Sequence, residues 1–302
     1  MTAIVTGASG FIGSALVKRL VSEGWNVLGL DRRVSEQTSS YEFYLSNMSL
    51  SPFLWNETCD VVFHLAATVG IEPSISNPTR VYANNVSSTA IALEIAKMCG
   101  AKRFVFASSS TVYGDMVRET GKPVNESTPF NPLNTYAASK IVGESMVRDI
   151  SQFAGIDYTI LRLFSVYGPG MKYNLAMPKI AKCAYDGTTF TMRGDGSASR
   201  DYVYVDDVVD AFVLAATKPK AKDMVFNVCC GNPVSLRDTI SAVERAMGAR
   251  VHIKQCNEMP YDAVATFGDN SLASDLLSWK PKVGFDEGVK RFSEWFKNKE
   301  SQ

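Results

Sequence analysis

The sequence predicts an α/β fold, a doubly wound parallel sheet followed by a smaller C-terminal lobe. Two observations lead to this prediction. Short apolar runs alternate with helical stretches through the first half of the chain, which is the pattern of buried strands joined by crossover helices. Three glycines, Gly7, Gly10 and Gly13, lie between the first apolar run and the first helix, where such sheets hold phosphate groups.

The elements follow from hydrophobic periodicity. Predicted strands cover Ala3–Thr6, Trp25–Leu30, Val61–Leu65, Arg103–Ala107, Tyr158–Leu163 and Val225–Val228. Predicted helices cover Phe11–Ser22, Val81–Met98 and Thr135–Ala154. The pattern loosens after "YGPG", so we expect a dinucleotide-binding domain over residues 1–165 and a second lobe over residues 166–302. Some later elements are free to return to the main sheet.

Composition and charge argue against several classes of protein. The 302 residues contain 31 basic and 31 acidic side chains, so neither nucleic acid nor an anionic membrane is an expected partner. No apolar run approaches the roughly 20 residues of a membrane span, and "MTAIVTGASG" does not resemble a signal peptide, so we expect a cytoplasmic protein. With two histidines, no C-x-x-C pair and no acidic cluster, we expect no metal site.

The glycine turn predicts a dinucleotide cofactor. The three glycines allow a tight turn and close approach of the backbone to a pyrophosphate, and the following helix, which begins with Phe11 and Ile12, contributes its N–H groups and positive dipole. Asp31 ends the second strand, where a carboxylate accepts both ribose hydroxyls and repels a 2′-phosphate, so NAD is the expected cofactor. Arg32 and Arg33 follow; they either restore some NADP binding or are solvated loop charges.

Two further segments are candidates for the site. "HLAA" ends the third predicted strand, and Leu65, Ala66 and Ala67 let the backbone pass near the cofactor, while His64 has the position of a packed residue. Tyr136 and Lys140 are four residues apart on a predicted helix and therefore share one face. A neighbouring ammonium and a positive nicotinamide would favour the phenolate, so we expect the pKa of Tyr136 to fall from about 10 towards neutral pH.

The motifs together resemble the extended short-chain dehydrogenase/reductases, specifically the NAD-dependent nucleotide-sugar epimerase/dehydratase family with its Rossmann fold. The matching segments, in the family's order, are "TGASGFIGS", "HLAA", "NNVSST", "SSSTVYG", "YAASK", "LRLFSVYGPG", "GDGSASRDYVYVDDV" and "FNVCCGNPVSL". The resemblance implies that Tyr136 is the base, Ser109 the catalytic hydroxyl and Lys140 the ribose-binding partner of the tyrosine. It also implies a cofactor contact at Ser108 and an Asn85 side chain that orders the lysine.

The same resemblance implies a nucleotide-sugar substrate and a homodimer. Arg200 matches the family's diphosphate-binding arginine, and Ser110 and Ser165 match positions that face the sugar. The second lobe would then bind the nucleotide-sugar, most often a UDP-sugar. Dimerisation would use the helices near residues 81–99 and 135–154.

Hydroxyls at Ser110 and Thr111 indicate which reaction of the family to expect. Dehydratases of the family have an Asp-Glu pair at these two positions, and neither hydroxyl ionises near neutral pH. Reversible oxidation at C4 is what remains, and it is the reaction of a 4-epimerase. A reductase or synthase, an atypical dehydratase and a non-catalytic NAD(P) sensor are the alternatives.

The sugar itself stays open between two types. The UDP-glucuronate branch has Thr where this chain has Ser165, and an Arg for the sugar carboxylate at the position of Lys172. Lysine pairs with a carboxylate as a point charge, and the same residue would also suit a solvated lid. UDP-glucuronate and UDP-glucose or UDP-galactose, with their N-acetyl relatives, are therefore equal candidates.

Overall fold

The predicted α/β fold is confirmed in the computed structural model, which describes residues 1–33, 42–45, 58–257 and 261–301. The strands are β1 (Thr2–Thr6), β2 (Asn26–Asp31), β3 (Glu42–Leu45), β4 (Val61–His64), β5 (Arg103–Ser109), β6 (Asp157–Leu163), β7 (Ser165–Tyr167), β8 (Thr189–Arg193), β9 (Ser199–Tyr204), β10 (Met224–Val228), β11 (Pro233–Ser235) and β12 (His252–Cys256). The helices are α1 (Phe11–Ser22), α2 (Ile71–Ser76), α3 (Pro78–Met98), α4 (Met116–Thr120), α5 (Thr135–Ala154), α6 (Ala176–Asp186), α7 (Val205–Thr217), α8 (Leu236–Met247), α9 (Ser271–Leu277) and α10 (Phe285–Glu300).

The main sheet is parallel and has the order β10-β6-β5-β4-β1-β2-β3. Strand order reverses at β1, which pairs with β2 on one side and β4 on the other. The crevice at the carboxyl edge of such a reversal is where open α/β sheets bind ligands. The topology therefore places the ends of β1, β2, β4 and β5 around one site.

Helices cover both faces of this sheet. On one face, Leu16 of α1 and Phe212 of α7 pack in a core with Val5 and Phe63. On the other face, α3 and α5 contribute to a second core that contains Ile4, Val62 and Phe104. Because both faces are buried, the strands are apolar almost throughout rather than alternating.

The later half of the chain divides between the main sheet and two small sheets. β10 pairs in parallel with β6, so the strand predicted at Val225–Val228 is an edge strand of the main sheet. The small sheets have the orders β11-β9-β7 and β12-β8. They share a third core with α6, α8 and α10, in which Ile180, Phe190, Val243 and Phe292 are buried. The functional division at residue 165 stays a prediction.

Two negative findings apply to the described residues. Among their helices none is both long and apolar enough to cross a membrane. Within the same ranges, no three His, Cys, Asp or Glu side chains come together as a metal ion would need.

Candidate active site

A cavity of about 1670 Å³ opens at the carboxyl edge of the main sheet and extends to β7, β9 and α6. Its wall includes nearly all of the residues that the sequence singles out: Gly7, Gly10, Phe11, Ile12, Gly13, Asp31, Arg32, Leu65, Ala66, Ala67, Ser108, Ser109, Tyr136, Lys140, Ser165, Lys172 and Arg200. Asn85 and Ser110 are buried and are not part of this wall. One open cavity thus brings the glycine turn and the tyrosine pair together.

The glycine turn joins β1 to α1 and has no room for side chains. Gly7 has a φ of 72°, and a Cβ there would lie 2.8 Å from the backbone nitrogen of Ala66. A Cβ on Gly13 would lie 2.0 Å from the carbonyl oxygen of Gly7. Gly10 caps α1 without a side-chain hydrogen bond. The turn therefore presents backbone, close-packed, at the N-terminus of a helix, which is a suitable environment for a phosphate group.

Asp31, at the end of β2, is fixed by the same turn. Its Oδ2 accepts a hydrogen bond from the backbone N–H of Ser9 at 3.0 Å, and its Oδ1 accepts one from the N–H of Arg33 at 3.2 Å. The backbone thus orients the carboxylate at the position where a ribose would bind. The exposed side chain of Arg32 also lines this end of the cavity.

Lys172 lines the cavity and is influenced by the charges at the end of β2. Burial lowers the pKa of Lys172, and the positive charges of Arg33 and Arg32 lower it further, while Asp31 opposes them. The ammonium therefore lies within electrostatic reach of the residues at the end of β2. The proposed contact of Lys172 with a sugar carboxylate stays a prediction.

The "HLAA" segment packs on the glycine turn. The Thr6 hydroxyl accepts hydrogen bonds from the N–H groups of Leu65 and Ala66, both at 3.2 Å. The same hydroxyl lies 2.7 Å from Nδ1 of His64, whose Nε2 is 3.2 Å from the hydroxyl of Thr89. Burial lowers the pKa of His64 to about 3, with a smaller contribution from Lys140. His64 is therefore a neutral, fully partnered structural residue.

Tyr136 and Lys140 lie on the first turns of α5, which Asn134 caps by accepting from the N–H of Ala137 at 3.0 Å. Both side chains are more than 90 % buried. The Lys140 ammonium donates to the carbonyl of Ala107 at 2.6 Å and lies 5.9 Å from the centroid of the Tyr136 ring. The predicted pairing of phenol and ammonium along one helix face is present.

Burial is the largest influence on the ionisation of this pair. Burial raises the pKa of Tyr136 to about 12, although a hydrogen bond with Ser109 acts in the opposite direction. Burial also lowers the pKa of Lys140 to about 8, and Glu144 opposes that shift. The expected fall of the Tyr136 pKa towards neutral pH includes the charge of a bound nicotinamide, so it stays a prediction.

The four consecutive hydroxyls at the end of β5 and directly after it have different surroundings. Ser109 faces the cavity and accepts a hydrogen bond from the Thr111 hydroxyl at 2.9 Å. Ser108 donates to Oε1 of Glu144 at 2.6 Å, so its side chain is directed towards α5. Ser110 begins a short 3₁₀ turn and is only 8 % exposed, away from the cavity wall. The structure therefore brings Ser109 and Thr111 to the site, and not Ser110.

Asn85 forms a hydrogen bond to the helix that carries Lys140. Its Oδ1 accepts from the N–H of Thr68 at 2.7 Å, and its Nδ2 donates to the hydroxyl of Ser139 at 2.9 Å. Ser139 in turn donates to the carbonyl of Tyr136 at 2.7 Å. Asn85 therefore connects α3 with the first turn of α5, and any effect on Lys140 passes through the helix.

Arg200 lies on the opposite wall, on β9. Its guanidinium forms an ion pair with Asp262 at 2.9 Å and donates to the carbonyls of Ser199 and Val264 at 2.9 and 3.3 Å. The protein's own contacts thus hold the Arg200 side chain in position. Ser165, at the start of β7, is half-buried in the same wall.

Comparison with known proteins identifies the family of the chain. The family model described as the NAD dependent epimerase/dehydratase family matches residues 3–229. A UDP-glucose 4-epimerase of Mycolicibacterium smegmatis is 34 % identical, with 99 % of each chain covered. A UDP-glucuronate 4-epimerase of Thermodesulfobacterium geofontis is 30 % identical, with 97 % of this chain and 95 % of that protein covered.

The chain belongs to the NAD dependent epimerase/dehydratase family. Among solved structures, MoeE5 in complex with UDP-glucose and NAD superimposes with a TM-score of 0.93 at 29 % identity, with 99 % of both chains covered. The likeness extends over the second lobe as well as the main sheet. The order of motifs in the sequence thus predicted the correct family.

Sequence reasoning missed several cavity residues of this epimerase/dehydratase family member. Asp262, Glu72 and Thr68 line the wall, as do Lys179 and Thr191. Asp262 lies far from Arg200 along the chain, and Glu72 and Thr68 belong to a segment without a recognisable periodic pattern. Only Thr68 had a nearby signal, because it follows "HLAA" directly.

Proposed function

We propose that this protein is an NAD-dependent UDP-sugar 4-epimerase, which inverts C4 by transient oxidation to a 4-ketose and re-reduction. The observation that carries the proposal is the single cavity in which the glycine turn, Ser109, Tyr136 and Arg200 all take part. Curated relatives that match nearly the whole chain are UDP-sugar 4-epimerases, which supports the same reaction here.

The residues present fit NAD. The space that a Cβ on Gly7 or Gly13 would need is already taken by backbone, so the turn offers only N–H groups and a helix dipole to a pyrophosphate. Asp31 is oriented to accept from ribose hydroxyls, and Lys140 faces the same space. When bound, NAD supplies an acceptor for the C4 hydride that can return it, and its positive ring favours the phenolate form of Tyr136.

The chain's own residues handle the proton. Tyr136 takes the proton of the sugar 4-hydroxyl and returns it after the 4-ketose has turned in the cavity. Ser109, which faces the cavity beside Tyr136, hydrogen-bonds the C4 oxygen. Arg200 holds the diphosphate, so that the sugar is free to rotate about its link to the nucleotide. The volume of the cavity leaves space for this rotation.

The hydroxyls near the tyrosine favour epimerisation over loss of water. Ser110 is not part of the cavity wall, and the Thr111 hydroxyl donates a hydrogen bond to Ser109. Neither side chain ionises near neutral pH, so neither can act as the acid that expels hydroxide. Removal of a hydride from C4 and its return to C4 need only the tyrosine and the cofactor.

We further propose that the enzyme is a cytoplasmic homodimer formed through α3 and α5. These two helices present large apolar side chains to the surface, with Tyr82 40 %, Val142 38 % and Phe153 90 % exposed. Val142 and Phe153 are eleven residues apart, about three turns, and therefore share one face of α5. Light scattering on the purified protein measures the mass directly, and a mass of one chain would contradict the dimer.

The test of the epimerase function is incubation of the NAD-loaded protein with UDP-glucose, UDP-galactose, UDP-glucuronate and the N-acetyl forms, followed by separation of the C4 epimers. We expect interconversion of at least one pair without net production of NADH. Tyr136→Phe should abolish turnover and retain the cofactor, while the control Tyr185→Phe, outside the cavity wall, should be active. A 4-keto-6-deoxy product, or steady consumption of added NADH, would replace the proposal with a dehydratase or a reductase.

A further inference from the structure

Three side chains of α5 contact three consecutive residues at the end of β5. Tyr136 hydrogen-bonds Ser109, and the Lys140 ammonium donates to the carbonyl of Ala107 at 2.6 Å. Glu144 accepts from the hydroxyl of Ser108 at 2.6 Å. Because the three α5 positions are four residues apart, all three contacts lie along one face of the helix. The third contact has no part in the reaction as described above.

Glu144 also anchors a buried polar network. Its side chain is 1 % exposed and forms a two-pronged ion pair with Arg162 of β6, at 2.9 and 2.8 Å. Arg162 donates in addition to the hydroxyl of Tyr113 at 2.9 Å, and that hydroxyl donates to Asn227 of β10 at 2.7 Å. A carboxylate held by this many buried partners has one position. It therefore fixes the register between α5 and the carboxyl ends of β5 and β6.

We propose that Glu144 is a positioning residue for the catalytic pair Tyr136 and Lys140, an inference that rests on the proposed epimerase function. Through its hydrogen bond with Ser108, Glu144 fixes the position of α5 along β5, so that the Tyr136 phenol faces Ser109. Through its charge, one helical turn from Lys140, it keeps the lysine in the ammonium form. Both effects serve the phenolate that takes the proton from the sugar.

The groups around Lys140 explain why the charge of Glu144 affects the ionisation of the lysine. The ammonium faces Tyr136 and Glu144 on its own helix, His64 on β4, and the ring of Phe106 at 4.8 Å on β5. His64 is neutral, since burial lowers its pKa to about 3. Among these groups Glu144 supplies the negative charge that opposes the burial of Lys140.

If the Glu144 carboxylate is removed, the cations around it also lower the pKa of Lys140. Glu144 neutralises Arg162 and lies 3.7 Å from the partly exposed Arg148. Without the carboxylate, Lys140 loses an attraction and gains uncompensated positive neighbours. Its pKa then falls further below its ordinary value, and the ammonium is lost at a lower pH.

The experiment compares the pH dependence of kcat for Glu144→Gln and the control Asp149→Asn. Glutamine keeps the size of the glutamate and one acceptor oxygen for Ser108 and Arg162, and it removes the charge together with the second acceptor oxygen. Asp149 is an exposed carboxylate on the same helix. For Glu144→Gln we expect the alkaline limb of the profile to move down by about one pH unit or more, since a neighbouring opposite charge shifts a pKa by about this amount. Asp149→Asn should superimpose on the wild-type protein.

Two further variants separate the positional role of Glu144 from the role of its charge. They also test the proposal if Glu144→Gln does not fold. Glu144→Asp keeps the charge with a shorter reach, so kcat should fall while the alkaline limb stays in place. Ser108→Ala removes the hydrogen bond between β5 and Glu144, and kcat should fall several-fold, about the contribution of one hydrogen bond. If the pH profile of Glu144→Gln has the same limbs as that of the wild-type protein, the proposed role of the Glu144 charge is wrong. If Ser108→Ala has an unchanged kcat, the proposed positional role is wrong. A wild-type protein with no epimerase activity would defeat the proposed function instead.

Discussion

Gly13→Ala is the change whose effect follows most directly from the structure. The new Cβ would lie 2.0 Å from the carbonyl oxygen and 2.8 Å from the carbonyl carbon of Gly7, well inside normal contact. Both atoms belong to backbone, so no side-chain rotation relieves the clash. Either the turn or the start of α1 must move by more than an ångström, and overpacking of this kind costs about 1–3 kcal/mol. The displaced groups are the N–H donors proposed to hold the pyrophosphate.

Calorimetric titration with NAD, after bound nucleotide has been removed, measures this effect. If the cost of the clash falls on binding, affinity drops by about fivefold to more than a hundredfold, since 1.4 kcal/mol is a factor of ten. Gly284→Ala is the matched control, because a Cβ there meets nothing within 4 Å and φ is an ordinary −65°. Wild-type NAD affinity in Gly13→Ala would refute the assignment of this turn to the pyrophosphate.

Two further predictions concern charge. Glu72→Gln removes a carboxylate from the cavity wall on α2, whose Ser74 hydroxyl accepts from the N–H of Tyr136 at 3.1 Å. It should raise kcat/KM for UDP-glucuronate relative to UDP-glucose roughly two- to fivefold, and an unchanged ratio would show that Glu72 does not sense the sugar. His64 is buried neutral with its pKa lowered to about 3, so below about pH 6.5 the unfolded chain binds a proton that the native protein does not. Its contribution to stability should therefore fall as the pH falls, by about 2 kcal/mol between pH 7 and 5, and urea unfolding of His64→Gln should lack this part of the slope.

Much of the fold could be predicted because the spacing of apolar residues and glycines determines where most strands and helices form. The strand and helix of the glycine turn were recognisable from spacing alone, and α5 has the predicted bounds, Thr135–Ala154. The return of β10 to the edge beside β6 was left open, since no periodic signal says which strand a later segment will pair with. β3 was not predicted, and it occupies the other edge of the sheet.

The site was harder to predict wherever burial or distant pairing decides the chemistry. The i, i+4 spacing predicted that Tyr136 and Lys140 would share a face, but burial, which raises the pKa of the phenol, is not visible in a sequence. Glu144 was missed because its partners, Ser108 and Arg162, lie on two other elements of the fold. The assignment of Lys172 to a sugar carboxylate rests on a motif position and stays a prediction.

The central claim is that one hydrogen leaves C4 of the sugar and returns to it within the same cavity. A UDP-sugar that carries deuterium at C4, incubated with the NAD-loaded protein in ordinary water, tests this most directly. We expect the C4 epimer to form with its deuterium retained and with no accumulation of NADH. Exchange of the label into solvent, or an epimer formed without hydrogen transfer at C4, would contradict the proposed chemistry of Tyr136.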